Sequence, residues 1–361
     1  KMMMMGRGRH WRPPVRCFFR RRQVSGGGGQ ELDVFDRATK TRQRDRGLGD
    51  EYQYLRKSVA RRVVSRLRDI SSARSFRRML DVGCHSGHVQ RALVEDGLEG
   101  DAGIEELWQC DFSEAAVERG KRMNFELESK FTGGVRWAVA DEAKLGSFVD
   151  AESFDLVTSS LALHWTNDLP LALLNARYAL KADGCFVGAL LGGNTLHELQ
   201  HSFAAAEEER TGGLSPHASP SARIADCGAL MQQAGFSLIT VDVDKIVVDY
   251  ADPFVLLDDL QHMGEQHAPS RRRDDANPRG VPRDAFLAMA AAYAHLYGDA
   301  DAAAEGGLPA SVPATFEVIY MIGWAPSDSQ PRPLRRGSAT AKISDVLSDS
   351  SSSSDSDDEQ K

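Results

Sequence analysis

Three groupings of residues in this chain could do chemistry. His164-Trp165 sets a side chain that carries a proton next to an indole face able to stack on a guanidinium or an adenine. Asp81-Val-Gly83-Cys-His-Ser-Gly87 places a carboxylate before a glycine turn, where a ligand can approach the main chain closely. Further carboxylates recur downstream at strand ends. Asp111 suits both hydroxyls of a ribose or, more simply, the start of a helix. Asp141-Glu142 is placed to accept from an adenine amino group. A fourth pattern, His197-Glu-Leu-Gln-His201, spells H-E-x-x-H and would put two imidazoles on one helix face, as a zinc protease requires. It has no Gly-x-x-His extension, and Glu207, Glu208 and Glu209 lie too close to act as a distant third ligand, so no metal site is expected. None of the ten histidines has an acid two residues on, so the chain lacks a local iron facial triad.

Positioning these groups needs a sheet. Residues 76–82 read as a first strand, residues 105–111 end a second, residues 138–141 a third, and Phe154–Ser159 form a fourth. A helix from His88 to Glu95 follows the glycine turn. Strands alternating with helices predict an α/β fold, a doubly wound Rossmann-like sheet of the S-adenosylmethionine (SAM) type with helical additions. Its SAM-pocket candidates are Asp81, Gly83, Gly87, Asp111, Asp141 and Glu142, and its candidate catalytic residues are His164 and Trp165, which follow the fourth strand. Before the sheet, residues 31–46 and Glu51–Ile70 read as helices, the second with Leu55, Val59, Val63, Val64 and Leu67 on one face. Beyond the fifth strand come a helix from about Leu196, a strand pair or hairpin over Phe236–Tyr250, and a last strand over Ala314–Trp324. Asp242, Asp244, Asp258, Asp259 and Glu265 are the acids that could face a cationic substrate.

Composition bounds the class. The chain has 361 residues, 42% apolar, and a net charge of −8 that hides a strong polarity. Residues 1–30 contain Arg7, Arg9, Arg12, Arg16, Arg20, Arg21 and Arg22 and no acid, which fits a mitochondrial transit peptide and linker, or else a basic arm. No nucleic-acid partner is expected. The division read from the sequence is transit peptide over 1–30, a helical segment over 31–70, the SAM-binding core over 71–210, substrate and partner insertions over 211–340, and a disordered Ser/Asp tail over 341–361. Scattered cysteines without a CxxC pair read as buried thiols of a reducing compartment.

Taken together, these motifs resemble class I SAM-dependent methyltransferases. From Asp33 to Thr340 the chain is more specifically similar to the mitochondrial arginine hydroxylases that serve as assembly factors of respiratory complex I. The motifs that carry this are Val34-Phe-Asp-Arg37, Ser159-Ser-Leu-Ala-Leu-His-Trp165 with Asn167-Asp-Leu-Pro170, Gly192-Gly-Asn-Thr-Leu196, Ser215-Pro-His217, Asp259-Leu-Gln-His-Met-Gly264, Tyr320-Met-Ile-Gly-Trp324 and Arg336-Gly-Ser-Ala-Thr340. The resemblance implies hydroxylation of an arginine on an iron–sulfur-cluster-binding subunit of complex I, by a protein on the matrix side of the mitochondrial inner membrane with peripheral membrane association. His85 stands where that family has glycine, and histidine is among the few residues enriched at positive φ, so the turn is expected to survive. Two other readings stay open: a true methyltransferase like the carboxyl O-methyltransferase of biotin synthesis, and a non-catalytic assembly chaperone.

Overall fold

The computed structural model describes residues 33–331 apart from 48, 72–73, 213–216, 218, 271–280 and 300–310, together with Gly337. The readings of residues 1–30 and 341–361 therefore lie outside the described residues. Strand β1 (Arg78–Val82) is a short apolar run buried from its second residue on, the mark of a strand covered on both faces. It lies in a seven-stranded sheet of order β3-β2-β1-β4-β5-β7-β6, with β2 Glu106–Asp111, β3 Gly134–Val139, β4 Phe154–Ser160, β5 Leu180–Leu191, β6 Ser237–Tyr250 and β7 Val312–Trp324. The first five strands are parallel, and β7 runs antiparallel to both β5 and β6. Strand order reverses between β1 and β4, and it is beyond the carboxyl ends at such a reversal that open α/β sheets bind ligands.

Helices cover both faces. On one lie α2 (Tyr54–Ser71), α3 (His88–Glu95) and the short α4 (Leu98–Asp101), while α1 (Arg37–Arg46) lies by the carboxyl ends of the strands, where Arg44 meets Asp111. The other elements are α5 (Glu114–Met123), α6 (Leu169–Ala179), α7 (His197–Thr211), α8 (Ile224–Gln233), α9 (Pro253–Met263) and α10 (Arg283–Tyr297). The stripe read from the sequence on α2 is the core of the first face: Leu55, Val59, Val63, Val64 and Leu67 are all buried, packed with residues of α3, α7, α9 and α10. A second apolar layer from α6 and α8 backs the opposite face. Asp168 caps α6 and Pro170 sits in its first turn, as the Asn-Asp-Leu-Pro spacing predicts. Among the described residues no helix is long and apolar enough to cross a membrane.

The structure corrects three local expectations. Residues 237–250 form one strand rather than a hairpin, because β6 pairs along its whole length with β7, from Ser237↔Trp324 to Tyr250↔Val312. Its alternation of half-buried and exposed residues is that of a sheet edge with one covered face. Lys181-Ala-Asp-Gly184, which reads from the sequence as the turn into the fifth strand, is instead an irregularity inside β5, with Asp183 at φ +64° and the register to β4 shifted there. Val34 and Phe35 are extended instead of helical: Phe35 bridges Pro269, and α1 begins only after Asp36, whose carboxylate accepts from the Ala38 and Thr39 N–H groups.

Because Leu67 is 1% exposed within the α2 layer, Leu67→Ala should lower the unfolding free energy by about 2–5 kcal/mol. Urea titration followed by circular dichroism reads this as a lower midpoint with an unchanged slope.

Candidate active site at the reversal of strand order

The turn after β1 shows why its glycines are needed. Gly83 has φ +69°, and a Cβ there would lie 2.1 Å from the Ala162 Cβ. Gly87 has φ +77° at the start of α3, and a Cβ would lie 2.4 Å from the Asn124 side-chain nitrogen. His85 adopts φ +53°, so the turn tolerates histidine as expected. Its ring is buried beside Ser86 and His88, and burial, with the Arg56 cation second, holds it neutral by pushing its pKa well below the usual value.

The turn and the strand ends converge on carboxylates. The His85 N–H donates to Asp111 Oδ2 at 2.9 Å, and the Ser113 N–H donates to Oδ1 at 2.9 Å. Asp111 thus stabilises the start of α5 from a buried position at the end of β2. Asp81 is fully buried, accepts from Thr158 Oγ1 at 2.9 Å, and has its second oxygen unpartnered among the described residues. Burial raises its pKa to about 7. Glu142 is also buried, with Oε1 unpartnered. Asp141 uses Oδ1 to accept from the Ala143 N–H at 3.0 Å. The six candidate pocket residues therefore do come together.

What the sequence did not reveal is the countercharge. Arg44, 1% exposed, places Nη1 2.8 Å from Asp111 Oδ2. Arg37 places Nη2 2.7 Å from Glu142 and 3.5 Å from Asp141. Both guanidinium groups stack on the Phe112 ring, at 4.1 and 4.3 Å from its centroid. Arg37, Lys40 and Arg44 are spaced to share one face of α1. That spacing is the one signal from which their role could have been found.

His164 and Trp165 form a second cluster around Glu265, which directly follows α9. Trp165 Nε1 donates to Glu265 Oε2 at 2.6 Å, and His164 Nε2 lies 3.2 Å from the same oxygen. Lys40 Nζ is 3.8 Å from it, and Arg56 pairs with the other oxygen. Burial pushes the Glu265 carboxyl up, but the Lys40 and Arg56 cations and the His164 bond outweigh it, holding the pKa well below the carboxylate range. Since an ionised Glu265 can only accept, His164 carries its proton on Nε2 and leaves Nδ1 as a base. Burial, partly offset by Glu265, lowers the His164 pKa, so the ring is neutral near pH 7. Lys40 also sits 3.0 Å above the Trp165 ring centroid and donates to the Gly264 carbonyl at 2.6 Å. Of the other four acids named from the sequence, Asp242 and Asp244 pair with Arg66 and Arg62, and Asp259 binds the Tyr54 hydroxyl. Asp258 does line a cavity of about 560 Å³ with His164, Trp165 and Glu265, bounded by Leu196, Leu199, Phe203 and Phe254.

The H-E-x-x-H pattern is structural. Glu198 is buried and accepts from the Thr315 N–H at 3.2 Å, which ties α7 to β7, while His201 bonds the Tyr297 hydroxyl at 2.8 Å. Among the described residues no three potential ligands cluster.

Comparison with known proteins gives the family of the chain. The methyltransferase domain model (Methyltransf_11) matches residues 80–188. The mitochondrial arginine-hydroxylase NDUFAF5 of Danio rerio is 40% identical over 321 residues, which are 88% of this chain and 90% of that protein. The chain belongs to the NDUFAF5 arginine-hydroxylase family. The Homo sapiens member is 38% identical over 90% of this chain and 89% of its own. A malonyl-[acyl-carrier protein] O-methyltransferase of Gallionella capsiferriformans is 27% identical over 82% of this chain and 91% of its own. The NDUFAF5 relatives are named mitochondrial and join a methyltransferase-type domain to the hydroxylase name, so this chain is an α/β member of a family of enzymes.

Two outcomes follow from the buried charges. Asp81 has a folded pKa raised from 3.8 to about 7, so the folded state binds the proton more tightly and stability falls as pH rises between those values. Asp81→Asn removes that dependence, and its stability relative to wild type should increase from pH 4 to about pH 7 and then level off, measured by urea denaturation at each pH. Glu265→Gln leaves Lys40 and Arg56 buried without their shared counterion and should cost about 3–5 kcal/mol at pH 7 in the same assay.

Proposed function

We propose that this protein hydroxylates an arginine side chain on an iron–sulfur-cluster-binding subunit during assembly of mitochondrial complex I, acting on the matrix side of the inner membrane through peripheral association. Its crevice is read as a SAM site and its cavity as the seat of the arginine. The observation that carries the reading is the Glu265–His164–Trp165 cluster opening on the cavity beside four convergent carboxylates.

The residues fit SAM. Asp81 and Glu142 each keep one buried carboxylate oxygen without a partner among the described residues, a costly arrangement that a donor from a ligand would relieve. Asp81 would take the amino group, Asp111 the ribose hydroxyls, and Asp141 with Glu142 the adenine amino group, with Gly83 and Gly87 keeping the main chain close. Bound there, the cofactor would supply a sulfonium centre with its transferable methyl group.

The chain's own residues do the positioning. Trp165, its indole N–H fixed on Glu265, offers an aromatic face to a guanidinium. His164, oriented by the same carboxylate, presents Nδ1 to accept a proton from the substrate, in the manner of a base held by a buried acid. Leu196, Leu199 and Phe203 give the cavity an apolar wall against which the aliphatic part of an arginine packs. Methyl transfer is the second reading, favoured by the match to the O-methyltransferase over most of both chains.

Incubating the full chain with the iron–sulfur subunit, SAM, dioxygen and a two-electron reductant, so that one oxygen atom can enter the side chain while the other leaves as water, and mapping the product by mass spectrometry tests this. One added oxygen on an arginine is the expected result, with His164→Ala lowering the yield about 100-fold or more. An added methyl group would support the second reading. Assembly restored in deficient cells by His164→Ala as well as by wild type, with no modified residue, would point to a holding role and overturn the proposal.

A further inference from the structure

The helix that enters both clusters is α1. Arg44 and Arg37 sit on the crevice carboxylates, and Lys40 sits on Trp165 and Glu265. Building on the SAM reading above, we propose that α1 is an internal stand-in for both ligands: its arginines occupy the nucleoside crevice, its lysine occupies the cation seat of the cavity, and cofactor binding displaces the helix and so opens that seat to a cationic substrate side chain.

The first argument is the hydrogen-bonding capacity of Asp111. Two of its partners, the His85 and Ser113 N–H groups, are main chain and fixed by the turn and by the start of α5. The third, Arg44, is a side chain on another element. A ribose that bonds Asp111 through two hydroxyls needs the position that Arg44 holds. Arg37 stands in the same relation to Glu142, and both guanidinium groups cover the Phe112 ring beside Asp111.

The second argument is how α1 is held. Its sequence, Arg-Ala-Thr-Lys-Thr-Arg-Gln-Arg-Asp-Arg, contains no apolar side chain larger than alanine, and its buried residues are Lys40 and Arg44. The helix itself is therefore retained by ion pairs and hydrogen bonds, while the apolar anchor is Phe35 ahead of it, buried against Trp165 and bonded on both sides by Asn167, about which the helix would swing. Buried ion pairs repay their desolvation only in part, so a ligand that re-satisfies the same carboxylates replaces them at small net cost. The core helix α2, by contrast, buries Val59, Val63 and Val64 completely and has no such freedom.

The third argument is the chemistry of the Lys40 seat. Burial pushes the Lys40 pKa well below the usual lysine range, and Glu265 favours the charged form against it. An indole face at 3.0 Å, a carbonyl at 2.6 Å and a carboxylate at 3.8 Å surround its Nζ. These are the groups that bind any cationic side chain. With Lys40 withdrawn, Arg56 still pairs with one oxygen of Glu265, and Trp165 Nε1 and His164 Nε2 still share the other; what the departing side chain vacates is the Trp165 face and the Gly264 carbonyl, the groups a guanidinium would meet. Gln43 of the same helix lines the cavity, so displacement of α1 also widens it. The two sites are thus coupled through one element with two positions, as a shift of population requires.

Hydrogen–deuterium exchange on the full chain, with and without S-adenosylhomocysteine, tests the proposal. Faster exchange over residues 37–46 in the presence of the nucleoside is expected. In parallel, Arg44→Gln should bind S-adenosylhomocysteine about tenfold more tightly than wild type by calorimetry, because the competing state is depopulated. Protection of residues 37–46, or weaker binding by Arg44→Gln, would show a helix that covers the cofactor and would overturn the proposal. Unchanged exchange with tight binding would overturn it too, leaving the cofactor reading intact. Absence of binding by both proteins would sink the SAM reading and this inference with it. Should Arg44→Gln fail to fold, as a thermal melt would show, the exchange measurement on wild type decides alone.

Discussion

A carboxylate removed from water must be given a countercharge, a set of donors or a proton, because its uncompensated burial costs several kcal/mol. The carboxyl ends of this sheet bury Asp81, Asp111, Glu142 and Glu265 within one region, and much of the architecture around them meets that demand in different ways. Asp81 is relieved by a raised pKa and one threonine. Asp111 is relieved by two main-chain donors and an arginine, Glu142 by an arginine, and Glu265 by two cations, an indole and an imidazole. The N-terminal helix is where it is because three of these demands meet along one face of it.

The same constraint separates what is rigid from what can be exchanged. The sheet and α2 are held by apolar side chains with no alternative partner, and removing them creates cavities. The charged helix is held by contacts that a polar ligand can imitate. A site assembled this way has its specificity written twice, in the carboxylates that receive a ligand and in the cations that occupy them meanwhile. Trp165 and His164 owe their orientation to a residue a hundred positions away, Glu265, so the chemistry of the cavity depends on the chain segment after α9 being in place.

Much of the fold was legible in the sequence because it rests on local signals. The glycine turn, the alternation of strands with helices, the apolar stripe of α2 and the cap and proline of α6 each declare themselves within a dozen residues. The crevice carboxylates were legible for the same reason, since each ends a strand. The edge strand β6 was misread as a pair because a strand with one solvated face shows the same alternation whether it folds back or finds a distant partner, and its partner is seventy residues on. The countercharges were legible only as a helical spacing of basic residues, which does not tell a buried face from a solvated one. Arg37, Lys40 and Arg44 look like a solvated basic face, and only tertiary packing shows Lys40 and Arg44 buried and Arg37 half-buried against acids at the end of β2, after β3 and after α9. Glu265 was one acid among five, and nothing local set it apart.

One feature of the topology bears on how such a chain comes to be folded. Strand β7 separates β5 from β6, yet it is the last strand to leave the ribosome or to emerge from an import channel. Until residues 312–324 arrive, β5 has a bare edge, and β6 has no neighbour at all. That edge is largely apolar and unpaired, the kind of surface that recruits the wrong strand. The final strand, Val-Pro-Ala-Thr-Phe-Glu-Val-Ile-Tyr-Met-Ile-Gly-Trp, completes the sheet by sliding between two elements already made. A nascent or newly imported chain would thus spend its longest vulnerable interval with five strands paired, waiting for the strand that joins its rim to the rest.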